Sequence, residues 1–270
     1  MKARRLPFIK KTFLFQISKR QRFIISVIIL SFLLFLSELL FGKSGIYTIF
    51  SLSFLTDILL FWAIHKDLKV AQTLPVFILP FFYSLSFGLF YFLIPARFLT
   101  RIISTSLYAV GLYSLLLSMN IFVVSSIRTI ALLSSARTVS FIITLLSYFF
   151  LSNVTFSLHI NVFITLLLVF AFSFPLILQS IWTHTLNKQF FSWVFWAGML
   201  AVSLVEISFI LWFFPTMPTI IALFLTGFFY IVVGLSQTWF QRRLFKNVMW
   251  EYIWVAAVVF LVFIVFTIRS

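Results

Sequence analysis

Carboxylates are scarce in this 270-residue chain, and three of its five, Glu38, Asp57 and Glu206, interrupt long apolar runs. An acid in such a place can hold a proton, bind a cation or a basic ligand, or hydrogen-bond in neutral form to a hydroxyl. A charged acid at mid-bilayer costs roughly 2.5–3.5 kcal/mol on insertion scales, so these residues ordinarily face a bundle interior or an aqueous cavity. Counting inward along a helix at ~1.5 Å per residue, Glu38 lies about 5 Å from the nearer end of its run, Glu206 roughly 12 Å and Asp57 roughly 16 Å. Asp57 and Glu206 therefore match in depth to within one helical turn. The three acids are expected to line an intramembrane cavity, and Arg97 and Arg101 on the same side are expected to meet lipid head groups. Two other arrangements fit the same residues: neutral acids bonded to Ser, Thr or Tyr, and Glu206 bonded to Arg97 or Arg101. Asp67 and Glu251 stand beside bases in polar connections and need no further account.

Other chemistry is thinly represented. With no cysteine there is no disulfide, thiolate metal site or cysteine nucleophile. His65, His159 and His184 are far apart and lack the spacing of ligands on one helix face, so no metal is expected. No nucleophile–base pair, Gly-x-Ser-Gly pattern or phosphate-binding Gly-rich loop can be named. No catalytic residue and no cofactor are expected, and an enzyme is the less favoured class.

The elements that would position the acids follow from composition. The chain is 63% hydrophobic and 9% charged, with 40 Phe among 270 residues, where a soluble domain has about 25% charged residues. A bilayer core needs ~20 apolar residues as a helix, since backbone groups go unpaired in lipid otherwise. Nine such spans can be drawn: 23–41, 46–64, 74–94, 102–124, 138–158, 160–182, 190–214, 220–239 and 252–268. Ser152-Asn153 interrupts the fifth, which nearly abuts the sixth, and a re-entrant hairpin is the alternative there. The predicted class is an all-α polytopic transmembrane bundle of about nine spans. Residues 1–22 form a basic cytoplasmic or interfacial segment and residues 23–270 the transmembrane domain.

Charge placement gives the orientation. Of 20 Lys and Arg, only Lys43, Arg97, Arg101 and Arg269 fall on one side of a nine-span arrangement; the others share the side of the N-terminus. The positive-inside bias then predicts N-inside and C-outside. The net charge of +15 is therefore loop charge between spans, and a nucleic-acid partner is not expected. The first span is read as an uncleaved signal anchor, being too long for a signal-peptide core. Ile9, Phe13 and Ile17 recur every four residues among bases, which suits anionic lipids at the inner leaflet. A short interfacial helix is also expected within Ser125–Arg137.

Several lesser features carry packing expectations. Pro80 and Pro175 fall inside spans and should bend them. Pro215 and Pro218 should make a tight turn, Gly227 and Gly234 a close-packing seam, and Asn120 and Gln179 interhelix bonds. Trp212 fits an interfacial aromatic belt. Asn153-Val154-Thr155 matches a glycosylation triplet but lies too near the membrane for modification.

Around Glu206, Trp212, Pro215, Leu225-Thr226-Gly227, Tyr230, Gly234 and Glu251-Tyr252, the C-terminal third resembles an uncharacterised polytopic membrane family of reduced-genome bacteria. That resemblance covers about the last 90 residues and implies a bacterial plasma membrane without a known activity. The leading expectation is a transporter or carrier for a small solute or lipid. The alternative is a structural or assembly subunit of a membrane complex, and the third a lipid-modifying enzyme. The lipid bilayer is the one expected partner throughout, with a membrane-protein partner or homo-oligomer left open.

Overall fold

A computed structural model describes residues 18–41, 45–65, 68, 73–94, 97–125, 131–185, 190–240, 242 and 245–269. Most of the basic segment 1–22 and Lys43, Asp67 and Arg128 lie outside the described residues, as does the side chain of Glu38. Among the described residues the chain forms nine α-helices and no strand. They are α1 (Lys19–Phe41), α2 (Gly45–Ile64), α3 (Thr73–Leu93), α4 (Phe98–Ser125), α5 (Leu133–Ser157), α6 (Val162–Thr185), α7 (Phe190–Trp212), α8 (Pro218–Phe240) and α9 (Lys246–Arg269). Each is long and apolar enough to cross a membrane. The protein is an all-α, multi-pass membrane protein.

The predicted spans recur as helices, with the largest differences at four N-terminal ends. Helices α1, α4, α5 and α9 begin four to six residues before the expected positions. A hydropathy run stops at its first base or hydroxyl, whereas the hydrogen-bonded helix continues through the interface. The expected interfacial helix before Arg137 is replaced over 133–137 by the first turns of α5; residues 126–130 are outside the described set. The fifth span is one continuous 25-residue helix, not a hairpin.

Contacts divide the bundle into two rings of four. Helix α1 packs on α2 and α4, and α3 packs on the same two; α5–α8 repeat that order, α5 and α7 each touching α6 and α8. The rings join where α3 and α4 meet α5 and α3 meets α6, and α9 rests outside on α8. Helix α5 is the central element, with two-thirds of its span buried, whereas only 6% of α9's span is buried.

Side-chain size and polarity, more than hydrophobicity, separate inside from outside. Ile28, Phe32, Phe54, Ile58, Phe163 and Leu167 are exposed toward the lipid, while Ser53, Thr56, Ser84, Thr144, Ser147 and Ser173 are fully buried. Lipid is as apolar as Leu, so helices associate through close packing and polar contacts instead. Buried hydroxyls are satisfied locally: Ser53, Thr56, Thr144 and Ser147 donate to the carbonyl four residues earlier at 2.8–2.9 Å. Others bridge helices. Thr56 Oγ1 is 2.8 Å from Ser84 Oγ, which is 2.9 Å from the Tyr108 hydroxyl, linking α2, α3 and α4. The Tyr83 hydroxyl donates to the Tyr108 carbonyl at 3.1 Å, and the two rings stack 5.5 Å apart. In the second ring Gln179 Nε2 donates to Ser140 Oγ at 3.4 Å, and Gln237 Nε2 to Ser180 Oγ at 2.7 Å. Asn153 Nδ2 donates to Thr219 Oγ1 at 3.0 Å. Asn153, where polar residues break the fifth hydropathy run, thus ties α5 to α8, and its burial leaves a glycan no room.

Helix ends are closed by identifiable groups. Ser18 and Gln21 exchange bonds, Ser18 N–H to Gln21 Oε1 at 2.8 Å and Gln21 N–H to Ser18 Oγ at 3.4 Å, a capping box at α1. Arg22 donates to the Trp62 carbonyl at 3.3 Å near the end of α2, its guanidinium 5.2 Å above the Trp62 ring. Arg137 donates to the Thr183 and His184 carbonyls at 3.0 and 3.2 Å at the end of α6. Cations there complement the negative end of each helix. Gly227 and Gly234 form the expected seam: a Cβ on either would meet Val259 or Tyr252 of α9. Helices α3 and α6 continue through Pro80 and Pro175.

Two substitutions should separate packed from open glycines. A Cβ on Gly111 would collide with the Tyr83 hydroxyl, whereas Gly198 has nothing near it. Gly111→Val is expected to lower stability by about 1–3 kcal/mol through overpacking. Gly198→Ala is expected to raise it by up to about 1 kcal/mol through helix propensity. Tyr108→Phe, which removes one interhelix hydroxyl, should cost about 0.6–1.7 kcal/mol. Unfolding of the detergent-solubilised protein measures all three, and equal effects of the two glycine changes would contradict this packing.

Candidate functional site

Asp57 lies on α2, about 18 Å from the Gly45 end at ~1.5 Å per residue. Phe54 and Phe61, three and four residues away, share its helix face and pack edgewise or tilted on Phe81 and Phe77 of α3. The acid is half-buried beside the α2–α3 contact, near the level of Pro80. Its Oδ1 is buried without a hydrogen-bond partner. Thr56, turned inward by one residue, belongs to the Thr56–Ser84–Tyr108 chain.

Glu206 occupies a different setting. It lies on α7, about 9 Å from the Trp212 end at ~1.5 Å per residue, and it faces outward. Its neighbours on that face, Val202, Phe209 and Ile210, are likewise exposed. No hydrogen bond or ion pair of Glu206 is present among the described residues. Helix α7 packs on α6 and α8 while α2 packs on α1 and α3. The structure therefore places Asp57 and Glu206 in separate rings, joined through α3 and α6 rather than facing each other. Glu38 lies in the last turn of α1.

Arg97 is exposed just before α4, and its carbonyl accepts the Arg101 N–H at 3.0 Å. Arg101 is half-buried in the first turn of α4. Helix α4 packs on α1, α3 and α5, so neither arginine stands beside α7. Gln179 makes the expected interhelix bond, whereas Asn120 Oδ1 is buried without a partner.

Cavities lie between helices at the bundle's flanks. One of about 380 Å³ separates α1 from α2 and is lined by Leu33, Ser37, Thr48, Ser51 and Leu55. Another of about 330 Å³, wholly apolar, lies between α8 and α9 around Gly227, Phe224 and Val259. A third, about 350 Å³, is framed by Trp196, Trp239, Phe240 and Met249. The fourth, about 260 Å³, is the most polar; His159, Thr165, Trp212 and Thr216 line it between the α5–α6 and α7–α8 turns. His159 there adopts a left-handed backbone, φ 47°, which shapes the tight turn into α6. Neither Asp57 nor Glu206 lines any of these four.

Sequence reasoning missed the hydroxyl chains, the Arg137 cap and the His159 cavity. Ser and Thr are scattered along every span, so only neighbour identity distinguishes a bridging hydroxyl from one bonded to its own helix. Arg137 flanks a hydropathy run, so its position in the sequence marks it only as loop charge. No signal in the sequence pairs the two turns that enclose the His159 cavity.

A family model described as a protein of unknown function, DUF5656, matches residues 40–266. No curated protein and no solved structure matches the chain. The matched region runs from the end of α1 into the last turn of α9, so it takes in α2 to α8 with Asp57 and Glu206, and leaves nearly all of α1 outside; the chain belongs to the DUF5656 family.

Proposed function

We propose that the protein is a non-catalytic assembly subunit of a membrane complex, exerting its role through helix–helix contacts in the plane of the bilayer. The observation that carries this reading is the separation of its two intramembrane acids. A carrier would use Asp57 and Glu206 together around a central cavity, yet they belong to different four-helix rings and Glu206 faces outward. The apolar side chains between the helices support the same reading: Leu30, Leu60, Leu79, Leu112, Tyr148 and Phe229 are fully buried. Its polar groups are largely bonded to their own helices or to each other. A cation-handling role keeps one specific argument, the unpartnered Oδ1 of Asp57.

The proposed setting is a bacterial plasma membrane, with the basic first 22 residues on the cytoplasmic leaflet and its anionic lipids. Alternation of nine spans supports it, since Lys19, Arg22, Arg137, Arg242 and Lys246 then share the cytoplasmic side.

Purified full-length protein in phosphatidylcholine–phosphatidylglycerol vesicles should give no proton or monovalent-cation flux above empty vesicles. Flux that is abolished by Asp57→Asn would overturn the assembly reading in favour of the carrier. The chain has no cysteine, so single cysteines report position cleanly. In intact cells a membrane-impermeant maleimide should label Ser270→Cys and leave Ser18→Cys unlabelled. Labelling of both would remove one crossing.

A further inference from the structure

Helix α7 carries an exposed seam. Phe195, Met199, Val202, Glu206, Phe209 and Phe213 are spaced by four, three, four, three and four residues, and all six are exposed. That alternation is the heptad spacing of residues facing a partner helix, with Glu206 the one polar residue in the run. A single polar residue at such a position sets register and partner choice at a cost in stability.

Two further observations mark this face as a contact rather than a lipid surface. First, Glu206 has no partner among the described residues, although intramembrane acids almost always face a bundle interior or a polar partner. Snorkelling toward the nearer end is disfavoured, because helical side chains lean toward the helix N-terminus, here the farther end. Second, Gly198 lies on the flank of the same face, one turn from Val202, and nothing lies within 4 Å of where its Cβ would be. Gly45, Gly88, Gly111, Gly227 and Gly234 each receive a neighbouring side chain against the backbone. A small residue left uncovered in a membrane helix is the usual place for close approach of another helix.

Resting on the assembly reading, we infer that the α7 seam docks one transmembrane helix of a different polypeptide, which carries a lysine or arginine level with Glu206. Charge complementarity selects that occupant. A second copy of this chain does not supply it: its described bases lie at or beyond helix ends, and the nearest in depth, Arg101, is half-buried in the first turn of α4 and already engaged within its own chain. The incoming base would share a charge-assisted hydrogen bond with the Glu206 carboxylate while Phe195, Met199, Val202 and Phe209 interdigitate around it.

The test uses full-length protein labelled at an engineered Ser18→Cys, in phosphatidylcholine–phosphatidylglycerol vesicles, with fluorescent poly-leucine transmembrane peptides. One peptide carries a single lysine level with Glu206, and the control has leucine there. Energy transfer should report about tenfold tighter association of the lysine peptide, within the range of interhelical polar contacts in lipid. Glu206→Gln should reduce that preference, Glu206→Leu should abolish it, and Asp57→Asn should leave it intact. Gly198→Leu, at the uncovered flank of the seam, should weaken both peptides without lowering the unfolding temperature. Equal binding of the two peptides, a lysine preference that survives Glu206→Leu, or self-association of the protein through this face would each overturn the docking proposal. Such a failure in vesicles without cation flux sinks the seam alone; Asp57-dependent flux sinks the assembly reading.

Discussion

Hydrocarbon offers no hydrogen bonds, and that constraint organises the whole molecule. Each backbone N–H and C=O must be satisfied within a helix, which is why the described residues form nine long helices. The same demand falls on side chains. Serine and threonine bend back onto carbonyls of their own helices, and the few that reach across tie neighbours together. The terminal carbonyls of α2 and α6 cannot be met by their own helices, so arginines from α1 and α5 supply the donors. Two of the bases that orient such a protein, Arg22 and Arg137, therefore have a second task, closing helix ends at the interface.

The two four-helix rings solve this problem in parallel ways. In each, an arginine near the start of the first helix caps the end of the second: Arg22 on α2 and Arg137 on α6. Each ring also holds a buried tyrosine whose hydroxyl meets a serine of an adjacent helix, Tyr108 of α4 with Ser84 of α3 and Tyr148 of α5 with Ser173 of α6. The rings differ where they meet. Helix α5 touches α3 and α4 as well as its own ring, and it is accordingly the most buried helix. Its polar residues Ser140, Ser147, Tyr148 and Asn153 are those a lipid-facing helix would not carry.

Depth was legible in the sequence and azimuth was not. A rise of ~1.5 Å per residue places any residue along the membrane normal, so the nine spans and the matched levels of Asp57 and Glu206 could be read directly. Which way a side chain points depends on which helices surround its own. Where every face is apolar, periodicity carries no such information: α2 and α7 look alike by composition, yet Asp57 turns toward α3 and Glu206 away from the bundle. Ser152-Asn153 misled for the same reason. A polar pair in a span reads as an interruption until Thr219 is placed beside it. Helices α1, α4, α5 and α9 start before their hydropathy runs because hydropathy marks where lipid ends, not where hydrogen bonding ends.

Exposure alone says little in a membrane, and α9 makes the contrast plain. It is the least buried helix, and its outer face presents Trp250, Trp254, Leu261, Val265 and Ile268. All of these are as comfortable against acyl chains as against protein, so nothing there calls for a partner. Glu251 on α9 lies near the helix start, where its carboxyl can reach the head groups. Glu206 differs in one respect that decides the matter: it stands more than a turn inside either end of α7 with apolar neighbours above and below. An apolar face is indifferent to whether lipid or protein covers it. A face with one acid at its centre is not, because only a polar partner at the same level offsets the loss of water. The seam on α7 is thus set apart by a single carboxylate, and removing it should turn α7 into a lipid-facing helix of the same kind as α9.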